Sequence, residues 1–383
     1  MVVRVDVNGD VLRWARERSG VDELALAKKF PKLAEWEAGD RSPTLRQLEG
    51  YAETTHTPVG FLLLEEAPSI EVPIPDYRTI GDAGVHEPSP DLLDTVFLCE
   101  QRQEWYHDYA LASGEDPVAF VGSLSVSVPV AEAAAVMHAA LEFGVGDRGS
   151  TFETAFSRLY EQAEQLGALV MVNGVVGNNT HRKLDPDEFR GFALVDAYAP
   201  LVFVNGADTK GAQIFTLVHE LAHLWLGATA LSDASPMLSS DNEIERWCNQ
   251  TAAEFLVPMN LLRESVGAVS TDADELDRLA RQFKVSTLVV LRRLHDVGYL
   301  DRAAYRAGYR TERERVLALV AERGASGGGS FYNTQPVRAS KRFTRALVTN
   351  VLEGQTTYRQ AFQMLGFKKV ATFNELAQRL EIA

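Results

Sequence analysis

The feature that most restricts the fold of this chain is the apolar stretch at 215–226, FTLVHELAHLWL. It contains H-E-x-x-H, in which His219 and His223 are four residues apart and Glu220 follows the first histidine. Residues four apart share one face of an α-helix, so the stretch predicts a helix that offers both imidazoles to one metal ion. Zinc commonly binds such imidazole ligands, and a catalytic zinc site leaves one coordination position for water. Glu220 could take a proton from that water. A core helix with two buried histidines is the alternative, because short motifs also match by chance.

Composition and charge exclude several classes of protein. The chain has 383 residues and a net charge of −15, which predicts two or three domains and argues against an overall attraction to nucleic acid. Cys99 and Cys248 are far apart, which fits a reducing compartment better than a disulfide framework. The first residues lack the apolar core of a signal peptide, and no run approaches the roughly 18 apolar residues of a membrane span. We therefore expect a cytoplasmic protein without membrane association.

Residues 1–66 are expected to form a small helical domain. The strings WEAG at 36–39 and PTLRQL at 43–48 resemble the phage-repressor (XRE-type) helix-turn-helix family, which implies DNA binding. The turn before the recognition helix is shortened relative to that family, because Phe30 is followed at once by Pro31. Residues 1–60 hold nine Lys/Arg and ten Asp/Glu, without the basic excess of a DNA-binding module. A docking or dimerisation module is therefore favoured over DNA binding, and homo-oligomerisation is left open.

The proline-rich segment 67–91 is expected to be a linker, or an extended segment that lies on another domain. Within it, IPDYRT at 74–79 resembles the segment between the two parts of phage-repressor/peptidase fusion proteins. Whether this segment blocks a metal-bound water is left open. A helical connecting region is expected at 92–150.

Residues 151–300 change in pattern, with short apolar strands directly before the H-E-x-x-H helix. This layout predicts a minimal zincin core, in which an edge strand beside the helix binds substrate by adding it to the sheet. The sequence does not show which strand is the edge. The intervening segments 174–181 and 227–240 are expected to be loops. The expected strands are 168–172, 188–195 and 200–205.

A third metal ligand is expected on the helix that follows. The candidates are Glu243, Glu245 and Glu254. Glu243 lies near the helix start, where acids often only complement the helix dipole. Glu245 shares a face with Asn249 and Ala252, as expected of a helix that approaches a metal, and Glu254 lies about 180° away on the helical wheel.

The string from Glu245 to Pro258, ERWCNQTAAEFLVP, closely resembles the ImmA/IrrE family of zinc metallopeptidases. The H-E-x-x-H stretch and GFAL at 191–194 resemble the same family, and the resemblance covers roughly residues 150–300. It implies Zn²⁺ bound by His219, His223 and Glu245, with Glu220 as general base. It also implies a protein partner, because family members cleave or regulate DNA-binding repressors.

A zincin also needs a group that stabilises the oxyanion, usually a His, Tyr or Arg. His181, Arg190 and Tyr198 are the upstream candidates. A structural role is the favoured alternative for each of them.

The last region, 301–383, is expected to hold a charged helix, a glycine-rich linker and a basic helical tail. Residues 331–383 contain eight Lys/Arg and three Asp/Glu, which suggests an oppositely charged partner or nucleic acid. The alternative is a helical subdomain that packs back on the core. The tail resembles the C-termini of a subgroup of phage-repressor/peptidase fusions, whose genes often neighbour PIN-like nuclease genes, and this implies a toxin–antitoxin pairing.

The expected fold is therefore α+β and mostly helical, with a minimal zincin core between a repressor-like N-terminal domain and a C-terminal helical subdomain. The expected function is that of a regulatory zinc-dependent metalloendopeptidase that acts on or controls a repressor or toxin. The alternative is an antitoxin that neutralises a PIN-like nuclease toxin by direct binding and regulates its own transcription through the helix-turn-helix domain.

Overall fold

The computed structural model describes residues 3–76, 87–232, 242–267, 272–323 and 331–382. The chain forms two compact units. Unit 1 consists of Met1–Pro73 with Ala83–Val96, and unit 2 consists of Ile74–Asp82 with Phe97–Ala383. The Tyr-Arg-Thr part of the 74–79 resemblance and most of the expected loop at 227–240 lie outside the described residues.

Unit 1 is a helical cluster around Trp36 and Tyr51, both buried. The Tyr51 hydroxyl donates a hydrogen bond to the Leu12 carbonyl over 2.7 Å, which ties the fourth helix to the first. The third helix is five residues long, and its Glu37 carboxylate accepts a hydrogen bond from the Arg16 guanidinium at 2.9 Å. The ion pair neutralises the charge of Arg16 beside the third helix. In the repressor family that this unit resembles, the corresponding helix would be the recognition helix that contacts DNA bases. The helices are α1 (Gly9–Ser19), α2 (Glu23–Lys29), α3 (Leu33–Glu37) and α4 (Leu45–Thr54).

Unit 2 contains the H-E-x-x-H helix, the strands and the C-terminal helices. None of the helices in the described ranges is long and apolar enough to cross a membrane. Its helices are α5 (Pro90–Ser113, from Phe97 onward), α6 (Val130–Leu141), α7 (Phe152–Gln165), α8 (Lys210–Leu226), α9 (Glu243–Leu256), α10 (Met259–Ser265), α11 (Ala273–Phe283), α12 (Thr287–Asp296), α13 (Arg302–Arg323), α14 (Phe331–Arg338), α15 (Lys341–Leu352), α16 (Tyr358–Leu365) and α17 (Val370–Arg379). Its strands are β1 (Leu169–Asn173), β2 (Val175–Val176), β3 (Asn179–Lys183), β4 (Gly191–Leu194), β5 (Leu201–Asn205) and β6 (Ala230–Ser232).

The main sheet has four strands in the order β1-β5-β4-β6. Strand β1 is parallel to β5, whereas β4 is antiparallel to both β5 and β6. All residues of these four strands are buried, so their apolar runs do not alternate with polar residues. A small mixed sheet beside a long helix confirms the expected α+β, mostly helical fold.

Two loop predictions are wrong. Residues 174–181 include β2 and part of β3, which form an antiparallel hairpin. Residues 227–240 contain β6, which pairs with β4. Both elements are too short to show a clear periodicity, and β6 owes its conformation to a partner strand that is distant in sequence.

Buried Arg148 joins the ends of two helices beside the sheet. Its Nη1 donates to the carbonyls of Leu256 and Phe283, at 2.6 Å each, and its Nη2 donates to the Phe255 carbonyl at 3.1 Å. Burial lowers the pKa of Arg148 to about 9, so the group is still a cation at neutral pH. The Arg148 guanidinium therefore donates to carbonyls at the C-terminal ends of α9 and α11, where carbonyl groups have no partner within the helix.

The C-terminal helices belong to unit 2. The buried Glu164 carboxylate accepts hydrogen bonds from the Ser340 hydroxyl and from the Arg342 backbone N–H. Arg102, also buried, donates to the Met364 carbonyl at 2.8 Å. Arg342 further pairs with Glu115 at 2.8 Å. Part of the basic charge of the tail is therefore paired with an acidic residue of the core, as in the Arg342–Glu115 ion pair.

We predict that Glu164→Ala lowers the free energy of unfolding by about 3 kcal/mol, because several buried donors lose their acceptor. The matched change Glu161→Ala should cost about 0.5 kcal/mol, since Glu161 pairs with Lys341 across 3.2 Å at an exposed position. Urea unfolding monitored by circular dichroism measures both values. Equal losses in the two variants would contradict this account of how the tail is anchored.

Candidate metal centre

Helix α8 runs through the middle of unit 2. The Thr209 side chain caps its start by accepting from the Ala212 N–H, and Gly227 ends it with a φ of 70°. Every residue from Gly211 to Trp225 is buried. The H-E-x-x-H side chains therefore lie in a dehydrated environment, as the apolar sequence around them predicts.

Helix α9 brings Glu245 to α8. The Asn242 side chain caps α9 by accepting from the N–H groups of Ile244 and Glu245, which sets the first turn. Glu245 lies in this turn and is only 3% exposed. Because α9 packs along α8, the Glu245 carboxylate faces the two histidines rather than solvent.

Three side chains form a compact triangle at this contact, in which Glu245 meets the two histidines through different carboxylate oxygens. The Nε2 atoms of His219 and His223 are 3.1 Å apart. The Glu245 carboxylate places Oε1 at 3.0 Å from Nε2 of His223 and Oε2 at 3.3 Å from Nε2 of His219. Two imidazole nitrogens and a carboxylate can face a single metal ion in this arrangement.

Glu220 lies beside this triangle and is not one of its three members. The candidate ligand atoms of His219, Glu220 and His223 lie within 4.8 Å of one another, and all three residues are buried. Burial and the neighbouring Glu245 carboxylate raise the pKa of Glu220 well above its usual range, although a hydrogen bond from Ser232 opposes the rise. Among the described residues, Oε1 of Glu220 has no hydrogen-bond partner. A carboxyl oxygen is thus available at the centre for proton transfer.

The protonation of the other groups suits metal binding. Burial lowers the pKa of the His223 imidazole, which favours the neutral form that carries a free lone pair. Burial would by itself raise the pKa of Glu245, but His219 and His223 outweigh it and hold that pKa well below its usual range. An ionised Glu245 carboxylate beside a neutral His223 imidazole is the state that favours binding of a divalent cation.

Ser232 is a site residue that the sequence analysis missed. It is fully buried in β6, and its Oγ lies 3.2 Å from Oε1 of Glu245, 3.3 Å from Nε2 of His223 and 3.4 Å from Oε2 of Glu220. A serine within a run of small residues carries no motif. Only the pairing of β6 with β4 brings it to the metal centre.

The competing ligand candidates lie elsewhere. Glu254 pairs with Arg293 and also accepts from the Met259 N–H at 3.3 Å. Glu243 is exposed at the start of α9. The structure thus brings Glu245, and neither of the other two glutamates, to the histidines.

The three oxyanion candidates have other surroundings. His181 is exposed on the β2–β3 hairpin. Arg190 lies 3.8 Å from the Asp208 carboxylate, and the Tyr198 ring packs edge-on against His107 with centroids 5.5 Å apart. These contacts give Arg190 and Tyr198 structural partners, and a role in oxyanion stabilisation stays a prediction for all three residues.

Two segments of the chain match known families. Residues 163–295 match a peptidase family described as the IrrE N-terminal-like domain. Residues 339–379 match a domain of unknown function, DUF8813. No curated protein matches the chain. The first match contains α8, α9 and β6, so it supports the resemblance to ImmA/IrrE peptidases for the segment that holds the metal centre.

We predict that Glu245→Gln weakens Zn²⁺ binding by at least about 100-fold, because it removes the charged ligand from the triangle. The matched change Glu254→Gln, nine residues along the same helix, should leave metal affinity within about twofold. Titration of each purified protein with Zn²⁺ against a chelator of known affinity measures the difference. Equal affinities in the two variants would remove Glu245 from the ligand set.

Proposed function

We propose that this chain is a regulatory zinc-dependent metalloendopeptidase of the ImmA/IrrE type. The observation that carries the proposal is the triangle formed by His219, His223 and Glu245, with sides of 3.0–3.3 Å. Ligands bound at 2.0–2.1 Å in a tetrahedral zinc site are about 3.3 Å apart, so the side chains already have the required spacing. The family match over 163–295 supports the same assignment.

Zinc is the metal that this set of donors favours. Two imidazoles with one carboxylate, and a fourth position for water or substrate, are typical of catalytic zinc sites. Calcium and magnesium prefer sites built of oxygen ligands alone. A zinc ion held by these residues supplies Lewis-acid activation of water and of the peptide carbonyl.

Glu220 then performs the proton transfers. Its unpartnered Oε1 would accept a proton from the attacking water, and the same carboxyl would donate it to the leaving amine nitrogen. Burial raises the pKa of Glu220, so its carboxylate holds a proton more readily than a solvated one. The chemistry therefore needs only this side chain as general base and general acid.

We further propose that the substrate or controlled partner is a specific protein, such as a repressor or a toxin, rather than polypeptides in general. The residues of the centre are between 0% and 3% exposed. A helical unit precedes the core and a helical tail packs on it. These additions are surfaces on which a regulatory partner could dock, whereas general proteolysis needs an open cleft.

We predict that Glu220→Gln keeps its zinc but loses peptidase activity by about 10²–10⁴-fold, because the amide cannot accept the proton. Zinc content by mass spectrometry and cleavage of a co-expressed partner, followed by gel electrophoresis, test the two halves of the prediction. Glu161→Gln, an exposed change on α7, serves as the control and should retain both properties.

A partner that is neutralised equally well by wild type and by Glu220→Gln would show that hydrolysis is not the mechanism of control. It would favour an antitoxin that acts by binding alone. A wild-type protein that contains no zinc after purification in zinc-supplemented medium would contradict the metal site itself.

A further inference from the structure

Strand β4 lies directly against the helix that carries the candidate catalytic base. A Cβ atom placed on Gly191 would be 2.6 Å from Cγ2 of Thr216 and 3.1 Å from Oε1 of Glu220. Only a residue without a side chain fits at this point. An extended peptide that pairs with β4 therefore reaches Glu220, and β4 is the strand on which a substrate could be held by backbone hydrogen bonds.

That position beside β4 is filled by the chain itself. β6 pairs with β4 in antiparallel register, with Ser232 opposite Gly191, Leu231 opposite Phe192, and Ala230 opposite Ala193. The Ser232 hydroxyl lies among the carboxylates and the His223 imidazole of the metal centre at 3.2–3.4 Å. β6 thus inserts a side chain where the reacting part of a substrate would have to be.

The outer side of β6 is covered as well. The Leu231 N–H donates to the Pro75 carbonyl over 2.9 Å, and Asp76 forms a parallel bridge with Leu231. Ile74, next to this contact, is only 8% exposed. Residues 74–76 therefore hold β6 from outside, while β4 holds it from inside.

A peptide can join a sheet only where backbone N–H and C=O groups are unpaired. In the described part of the chain, β4 already has β5 and β6 as neighbours, and Leu231 at the centre of β6 is paired with Pro75. His219, Glu220 and His223 are 0% exposed beneath these strands. Within the described ranges, β5 and β6 therefore occupy both sides of β4 beside Glu220, where a second chain would have to pair.

We propose that β6, held by residues 74–76, is an internal occupant of the peptide-binding edge, so that the protein inhibits itself until this occupant is displaced. The proposal rests on the peptidase function proposed above and identifies how that site is regulated. Because residues 74–76 precede the core in sequence, an event that pulls on them from the N-terminal side would release β6. A protein partner would then activate the site by removing Pro75 from Leu231.

The test uses full-length zinc-loaded protein with Ile74→Asp, which places a charge at the buried residue of the 74–76 segment. The matched control is Ile70→Asp, because Ile70 is partly exposed and lies before the segment. Three readouts are hydrogen exchange of the peptide that contains Leu231, the rate of zinc transfer to 4-(2-pyridylazo)resorcinol, and cleavage of fluorescein-labelled casein. Ile74→Asp should accelerate exchange and zinc transfer by about tenfold and increase casein cleavage, because local opening becomes more frequent. Ile70→Asp should stay within about twofold of wild type.

The proposal is overturned if Ile74→Asp leaves both Leu231 exchange and zinc transfer at the wild-type rates. A milder variant, Ile74→Ala, should shift both rates in the same direction by a smaller factor, which guards against a general loss of fold. Circular dichroism of each variant checks that the helices are intact.

The outcomes separate this proposal from the peptidase function. Faster exchange and zinc transfer without casein cleavage in any variant would support the occluded edge and contradict the peptidase function towards this unfolded protein. Equal, Glu220-dependent cleavage of casein by wild type and Ile74→Asp would support the peptidase function and overturn self-inhibition.

Discussion

The contact between α8 and α9 is the constraint on which the rest of unit 2 depends, because it buries ionisable groups whose polar contacts are with each other and with the Ser232 hydroxyl. Glu245 lies 3.0–3.3 Å from two imidazoles, and a second carboxylate, Glu220, lies in the same dehydrated space. Burying such charges costs several kcal/mol per ion unless they are paired. A divalent cation at the triangle would balance both carboxylates, so the electrostatics and the geometry support the metal site proposed above.

The surrounding elements hold this contact at a defined distance. The Asn242 cap directs the first turn of α9 towards α8, and Arg148 binds the carbonyls at the other end of α9. Glu164 and Arg102 attach the C-terminal helices to the rest of unit 2. Part of the basic charge that suggested an external partner is therefore paired inside unit 2, as between Arg342 and Glu115.

Local patterns were sufficient to predict the helix of His219 and His223, the helix of Glu245 and the apolar strands before them. His219 and His223 are four residues apart on one helix, and the face of Glu245 is a pattern within the next helix. Each pattern is contained in a few consecutive residues. β6 and Ser232 could not be predicted in this way, because a three-residue strand is defined by its partner and not by its own periodicity. The contact between Pro75 and Leu231 joins residues that are far apart in sequence. The least predictable part of the site is therefore the part that controls access to it.

The most direct test of the central claim is X-ray absorption spectroscopy of the zinc-loaded protein. The account predicts a four-coordinate zinc with nitrogen and oxygen ligands at about 2.0–2.1 Å, two of them imidazoles, and no sulfur. Cys248 makes the test decisive, because this buried thiol lies one helical turn beyond Glu245 and burial, Glu245 and Glu220 raise its pKa well above the usual range. A sulfur ligand at about 2.3 Å would contradict the assignment of Glu245 in a His-His-Glu centre.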